Sequence, residues 1–229
     1  MSSSSSSTCS LSVLGDGSVG KSSIIAAFES DGFTRVYKQT IGVDFFEKKL
    51  HIRGDTHLSL RIWDIGGQSI NSKNLDKYLS GSDVVFLVYD VTNADSFSNL
   101  DDWLTRIREH SKSNRIYLVG NKIDILQARL IQPKQHEKFI ESNNLAGGFY
   151  VSAKTGENLV RSFYEVAGDV CGIPLTPYEL SQFDKVLKAH IVIPGGDDEE
   201  RTPWADEIEA EDRAAEARKL GGSCGCNLS

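Results

Sequence analysis

Short apolar runs alternate with amphipathic segments along most of this chain. The runs at residues 11–14, 84–89 and 116–119 are apolar enough to be strands buried on both faces of a sheet. A fourth such strand is predicted at residues 149–151. Each run is followed by a helical pattern, which is the arrangement that joins parallel strands.

Apolar residues that recur with a helical period mark the helices. The clearest helix is predicted at residues 100–110, where Trp103, Leu104 and Ile107 share one face. Two more runs, 43–52 and 58–63, have strand character and flank a turn at Arg53, Gly54 and Asp55. Together with helices at 22–28, 134–143 and 157–171, these elements predict an α/β fold: a six-stranded, mostly parallel sheet flanked by helices, with one antiparallel edge strand.

The two ends of the chain lack these patterns. Residues 1–10 are polar and serine-rich, and we expect them to be disordered. Residues 11–172 are expected to form one domain. Residues 173–229 hold four of the five prolines and twelve acidic against six basic residues, which predicts an acidic, variable tail. A short amphipathic helix that begins near Thr202 is either solvated or binds a partner.

Composition excludes several classes of protein. The longest apolar run stops at Asp90, so no segment is long enough to span a membrane. Residues 1–172 carry 20 acidic and 19 basic residues, which gives no basic surface for nucleic acid. Four scattered cysteines predict neither a disulfide framework nor a zinc site. The serine-rich start resembles no secretory signal, and Ser2 excludes N-myristoylation, so we expect a protein of the cytosolic side.

The sequence GDGSVGKS at residues 15–22 lies between a predicted strand and a predicted helix. Its spacing fits a phosphate-binding loop, in which backbone N–H groups surround the phosphate oxygens. The lysine is expected to reach the outer phosphates, and the hydroxyl of Ser22 is expected to ligate Mg²⁺. The predicted phosphate-binding residues are Gly15, Gly17, Ser18, Val19, Gly20, Lys21, Ser22 and Ser23.

A second pair of motifs indicates which base is bound. Residues 121–124 read NKID directly after a predicted strand, and the carboxylate of Asp124 can accept hydrogen bonds from guanine. Adenine would leave that carboxylate unpaired. The amide of Asn121 is expected to tie this loop to the phosphate loop. The stem of Lys122 is expected to lie along the base. A backbone N–H in the segment formed by Ser152, Ala153 and Lys154 is expected to bind the guanine carbonyl.

Two further segments carry residues suited to a γ-phosphate. Asp64 ends a predicted strand and can hold Mg²⁺ through water, while the amide of Gly67 can bind the phosphate. Gln68 is the candidate that orients the attacking water. Thr40 offers a hydroxyl to the metal and an amide to the same phosphate. We therefore predict Gln68, Lys21 and Thr40 as catalytic residues, and a switch that relaxes when the phosphate leaves.

With these motifs, residues 11–172 resemble a small GTPase of the Ras superfamily. The stretches at 41–45, 61–63 and 87–92 resemble those of Rab proteins, and the whole is most similar to the divergent Rab twenty-eight subfamily. The resemblance implies the P-loop GTPase fold, GTP or GDP with Mg²⁺, and slow GTP hydrolysis. It further implies that Phe33 and Tyr37 contact the nucleotide, and that effectors recognise Phe45, Trp63 and Tyr78. Ordinary core packing is the alternative explanation for these three aromatic residues.

The segment WDIGGQS at residues 63–69 departs from the usual Rab sequence at Ile65 and Gly66. The departure leaves open a nucleotide-stabilised, membrane-tethered scaffold with negligible turnover. A P-loop kinase is disfavoured, because NKxD and SAK motifs have no purpose there.

The last four residues, CNLS, fit a prenylation motif of the farnesyl type on Cys226. Cys224 allows double geranylgeranylation or palmitoylation instead, and unmodified cysteines are a further alternative. The resemblance implies an exchange factor, a GTPase-activating protein, effectors, a prenyltransferase and a prenyl-binding chaperone as partners. We expect the protein on the cytoplasmic face of endosomal, plasma or ciliary membranes, in exchange with the cytosol.

Overall fold

A computed structural model of the chain describes residues 6–29, 43–67 and 75–183. All of these residues belong to one compact unit. The described strands are β1 (Ser6–Leu14), β2 (Val43–Arg53), β3 (Thr56–Ile65), β4 (Val84–Asp90), β5 (Ile116–Asn121) and β6 (Gly147–Tyr150). The helices are α1 (Lys21–Glu29), α2 (Leu75–Ser80), α3 (Ala94–Ser98), α4 (Leu100–His110), α5 (Pro133–Ser142) and α6 (Leu159–Cys171).

The strands of the described residues form one sheet in the order β2-β3-β1-β4-β5-β6. Every neighbouring pair is parallel except β2 with β3, which form an antiparallel hairpin at the sheet's edge. Gly54 closes the hairpin with a φ of 58°, a left-handed conformation that side chains oppose. The predicted fold class is therefore confirmed.

Helices cover both faces of this sheet. On one face, the aromatic ring of Phe163 from α6 stacks on Phe28 from α1 at 3.8 Å and packs against the strands. On the other face, α4 buries Trp103, Leu104 and Ile107, the three residues predicted to share its inner side. The central strand β4 is buried along its whole length, because helices lie on both sides of it.

Strand β1 begins at Ser6, so the prediction that residues 1–10 are disordered is wrong for residues 6–10. These mostly polar residues pair in parallel with β3, from Ser6 opposite His57 to Ser10 opposite Arg61. Cys9 is completely buried. Backbone hydrogen bonds to a neighbouring strand stabilise this segment, and serine side chains do not prevent them.

The folded domain also continues past the predicted boundary at residue 172. Residues 177–183 are helical, Leu180 is buried, and Phe183 stacks on Tyr164 of α6 at 3.8 Å. Arg53, at the end of β2, donates from Nε to Glu179 Oε1 at 2.8 Å. The sequence pattern did not reveal this segment because its apolar residues are few and its contacts are tertiary.

Helices α2 and α3 were not predicted. Both are short, and α3 begins where the side chain of Asn93 accepts hydrogen bonds from the N–H groups of Asp95 and Ser96. No helix among the described residues is long and apolar enough to cross a bilayer.

Candidate functional site

The carboxyl ends of four strands of the sheet, β3, β1, β5 and β6, carry the predicted site residues. Strand β1 leads into the loop at residues 15–20, and β3 leads into Gly67. Strand β5 ends in Asn121, and β6 is followed by Ser152. Crevices for ligands form at this edge of a parallel sheet, where loops of neighbouring strands converge.

Asn121 joins three of these loops. Its Nδ2 donates to the carbonyl of Val19 at 2.9 Å, and its Oδ1 accepts from the N–H of Ala153 at 3.1 Å. The side chain is only 1% exposed. Gly20, with a φ of 95°, provides the space for the Asn121 side chain, because a Cβ at this position would lie 2.3 Å from Asn121 Nδ2. The expected tie between the NKID loop and the phosphate loop is present.

Lys21 lies folded back over the phosphate loop. Its Nζ donates to the carbonyls of Gly15 at 2.8 Å and Asp16 at 2.6 Å. Burial lowers the pKa of Lys21 to about 8, although the carboxylates of Asp64 and Asp16 oppose that shift. The ammonium therefore stays mostly protonated at neutral pH and can attract phosphate oxygens.

The predicted metal ligands Ser22 and Asp64 lie together. The Ser22 hydroxyl donates to Asp64 Oδ2, and Asp64 is 1% exposed at the end of β3. A hydroxyl and a carboxylate are oxygen donors, the type that Mg²⁺ prefers. These two residues fit a magnesium ion.

Gly67 packs directly against the phosphate loop. A Cβ at this position would lie 2.2 Å from the backbone nitrogen of Gly17 and 2.4 Å from the carbonyl carbon of Asp16. Only glycine permits that approach. The amide of Gly67 is thereby held next to the loop whose backbone would surround the phosphates.

Asp124 is held by the loop after β6. Its Oδ1 accepts from the Ser152 hydroxyl at 2.8 Å, and its Oδ2 lies 3.7 Å from Lys154 Nζ. The Asp124 side chain is 11% exposed. The Ser152 hydroxyl also accepts a hydrogen bond from the N–H of Thr155 at 3.0 Å. This second bond fixes the direction in which the hydroxyl donates to the Asp124 carboxylate.

Lys122 contacts both the loop after β1 and the last residue of β4. Its Nζ donates to the carbonyl of Ser18 at 2.9 Å and lies 2.6 Å from Asp90 Oδ2. Asp90 was not predicted as a site residue. It is the last residue of β4, and its position at the carboxyl end of a buried strand was the available signal. The contact holds the Lys122 stem beside the phosphate loop.

Asp16 was also overlooked. Its Oδ1 accepts from the indole N–H of Trp103 at 2.8 Å, and its Oδ2 accepts from Asn99 Nδ2 at 2.7 Å. Asn99 and Trp103 are four residues apart, so they lie on the same face near the start of α4. The sequence shows that spacing, but not that the face meets the phosphate loop.

The three predicted effector-binding residues form one aromatic cluster, formed by Phe45, Trp63 and Tyr78. Phe45 and Trp63 are directly opposite on β2 and β3 with ring centroids 4.7 Å apart, and Tyr78 of α2 lies 5.1 Å from Trp63. Trp63 and Tyr78 also pack against the core, but Phe45 is 47% exposed. Core packing alone does not explain an exposed Phe45.

Several predicted residues lie outside the described part of the chain. They are Phe33, Tyr37, Thr40, Gln68, Cys224 and Cys226.

Comparison with known proteins relates this arrangement to one family. The Ras family model matches residues 10–171. The chain is 37% identical to Ras-related protein Rab-28 of Caenorhabditis elegans over 79% of its own length and 74% of the relative. It is 34% identical to Rab-10 of the same organism and 35% identical to Rab-1D of Dictyostelium discoideum. Each of those matches covers 69% of this chain, and 78% and 77% of the respective relatives.

Both the family model and the relatives cover most of the chain, and the sheet has the architecture that the resemblance implied. Ras-family GTPases bind guanine nucleotide, typically with Mg²⁺, and Rab proteins associate with membranes. This chain therefore belongs to the Ras family as a Rab-type small GTPase, an enzyme that hydrolyses GTP as a switch in membrane trafficking.

Proposed function

We propose that the loops at the carboxyl edge of the sheet bind GTP and GDP, with residues 15–23 on the phosphates and residues 121–124 and 152–154 on the guanine. The observation that carries the proposal is the contact of Asn121 with Val19 and Ala153, which joins the three loops. A buried side chain with both its donor and its acceptor used holds these loops in one arrangement. Asp124 then lies where it can meet the base.

The roles of the residues follow from their chemistry. The Lys21 ammonium would leave the loop carbonyls and pair with phosphate oxygens, which are stronger acceptors. Ser22 and Asp64 would hold Mg²⁺, which supplies positive charge to the phosphates. Gly67 would present its amide to the γ-phosphate, with Thr40 on the same group. Gln68 would orient the attacking water.

Base recognition is tested by changing Asp124 to Asn. The amide would donate to the carbonyl that xanthine has in place of guanine's amine, so the variant should prefer XTP to GTP in a competition assay. Asp169→Asn is the matched control, because the Asp169 carboxylate also accepts side-chain hydrogen bonds but lies on α6. A variant at Asp124 that still prefers GTP would contradict the assignment.

The aromatic cluster is the proposed surface for effectors in the GTP-bound state. Phe45 is exposed and has Trp63 and Tyr78 beside it, so a partner could bury all three rings at small cost. Proteins retained by the GTP-loaded chain but not by the GDP-loaded chain should be lost with Phe45→Ala. Tyr178→Ala, which removes a more exposed aromatic residue elsewhere, should retain them. If Phe45→Ala retains the same proteins as the parent, the aromatic cluster is not the effector surface.

The tail is proposed to carry the membrane anchor. A single lipid on Cys226 gives marginal, reversible attachment, and the acidic tail offers no basic patch to strengthen it. Exchange between the cytosol and an endosomal, plasma or ciliary membrane would follow. Fractionation should find Cys226→Ser in the cytosol and Cys224→Ser only weakened. Retention of Cys226→Ser in the membrane pellet would overturn the farnesyl assignment, and mass spectrometry of the C-terminus would show which lipid is present.

A further inference from the structure

The carboxylate of Asp16 connects the phosphate loop to helix α4. Both of its oxygens are used: Oδ1 accepts from Trp103 Nε1 at 2.8 Å and Oδ2 from Asn99 Nδ2 at 2.7 Å. Hydrogen bonds to an ionised acceptor are about twice as strong as those between neutral groups. Two such bonds from residues one turn apart fix both the position and the orientation of the carboxylate.

The helix side of this contact is rigid. Trp103 is 1% exposed and belongs to the core cluster that covers one face of the sheet. Leu104 and Ile107 anchor the same helix in that cluster. The indole N–H is therefore presented from a side chain that is already held by packing, and it costs little further entropy to form the bond.

The loop side of the contact packs closely against Lys21 and Gly67 of the proposed site. The Asp16 carbonyl receives Lys21 Nζ at 2.6 Å, and its carbonyl carbon would be 2.4 Å from a Cβ placed on Gly67. A displacement of Asp16 would therefore move the groups that face the lysine and Gly67 together. A positioned Asp16 keeps the backbone of residues 15–20 in the form that surrounds phosphate.

We infer that Asp16 is a positioning residue that anchors the phosphate loop to α4, and that this anchor slows nucleotide release. The inference rests on the proposed nucleotide site. Loss of the anchor should leave base recognition intact, because Asp124 is held separately by Ser152. It should instead let the loop open more often and shorten the residence time of the nucleotide.

The test measures dissociation of a fluorescent GDP analogue from the Mg²⁺-loaded full chain. Asp16→Ala should accelerate release by on the order of tenfold, the loss expected for charge-assisted hydrogen bonds. Trp103→Phe keeps an aromatic ring in the core but removes the N–H donor, and Asn99→Ala removes the other donor. Each should accelerate release by a smaller factor. Asp16→Asn, which keeps one acceptor oxygen, should lie between Asp16→Ala and the parent.

Coupling is measured with the double variant Asp16→Ala/Trp103→Phe. If the two residues act through one contact, the double variant should release the analogue no faster than Asp16→Ala alone. Multiplied effects would overturn the inference. The matched control is Asp169→Ala, whose carboxylate accepts from Arg115 Nε at 3.0 Å and the Tyr117 hydroxyl at 2.9 Å near the opposite ends of the strands. It should leave the release rate unchanged.

Thermal denaturation separates anchoring from general destabilisation. A purely structural role would lower the Tm in Asp16→Ala as in Asp169→Ala and leave the dissociation rate at the parental value, which would refute the inference. A parent protein that binds no guanine nucleotide would refute the proposed site instead. Tight binding by the parent with unaltered release from Asp16→Ala would refute the anchor alone.

Discussion

Polar contacts at the carboxyl edge of the sheet differ in burial from those at the β2–β3 hairpin. Asn121, which joins three loops, is 1% exposed, whereas Arg53 and Glu179 pair through side chains that are 45% and 34% exposed. Water competes for exposed groups but not for buried ones, so a buried partner left alone loses its full hydrogen bond. The loops at the carboxyl edge are thus joined by the stronger kind of contact, and the end of the hairpin is joined to Glu179 by the weaker.

The largest effect is expected for Asn121→Ala. It leaves the carbonyl of Val19 and the N–H of Ala153 without their partner, which should lower the free energy of unfolding by about 4 kcal/mol. Urea denaturation of the GDP-bound protein measures it. Asn143→Ala is the control, since its Nδ2 bond to the Phe139 carbonyl at the end of α5 is only partly buried. Similar losses in the two variants would contradict the comparison.

A buried polar group away from the site should show a comparable effect through pH. His136 is 3% exposed, with Nδ1 3.0 Å from the Tyr89 hydroxyl and its ring 4.4 Å from that of Tyr150. Burial, with a smaller contribution from Arg129, lowers the pKa of His136 to about 4. The unfolded chain therefore takes up the proton first.

Stability contributed by neutral His136 is complete above its ordinary pKa of 6.5 and is lost as the pH falls towards 4. The free energy of unfolding should drop by about 3 kcal/mol more in the parent than in His136→Gln between pH 7 and pH 4. Urea denaturation across that range measures the difference. Parallel curves for the two proteins would show that the histidine does not titrate as its burial predicts.

The segment at residues 173–183 is anchored both by a buried apolar residue and by an exposed ion pair, so the two kinds of contact can be compared within one element. Leu180 is 6% exposed, so Leu180→Ala should lower the free energy of unfolding by about 2 kcal/mol. Chemical denaturation measures it. The conservative Leu180→Met keeps most of the side-chain volume and should lower the free energy of unfolding much less. An unchanged free energy of unfolding in Leu180→Ala would show that the segment is not part of the cooperative unit.

The smallest effect is expected for Arg53→Ala. Arg53 and Glu179 are hydrogen-bonded, and this contact lowers the pKa of Glu179 to about 2, but both groups face solvent. The Tm measured by thermal denaturation should fall by no more than about 2 °C. The control is the same measurement at 1 M salt, where an exposed ion pair is screened. A larger shift than that of Leu180→Ala would reverse the ranking of the two kinds of contact.

The comparison also separates what sequence and structure contribute to the site. Periodicity and spacing were sufficient for the six strands, the hairpin and the loops after β1, β5 and β6, because those signals are local. The strand start at Ser6 and the helical residues 177–183 were missed, since pairing with β3 and packing on α6 stabilise them. Local composition indicates disorder at residues 6–10, and the neighbouring strand overrides it.

Residue types at fixed spacing were enough to predict which chemistry the loops carry, because phosphate, metal and guanine each require particular chemical groups. Which side chains hold those loops in place is visible only in the folded molecule. Asp16 and Trp103 are 87 residues apart, and Val19 and Asn121 are 102 apart. Their contacts exist because parallel strands bring distant loops to one edge, an outcome of sheet order that no local pattern records.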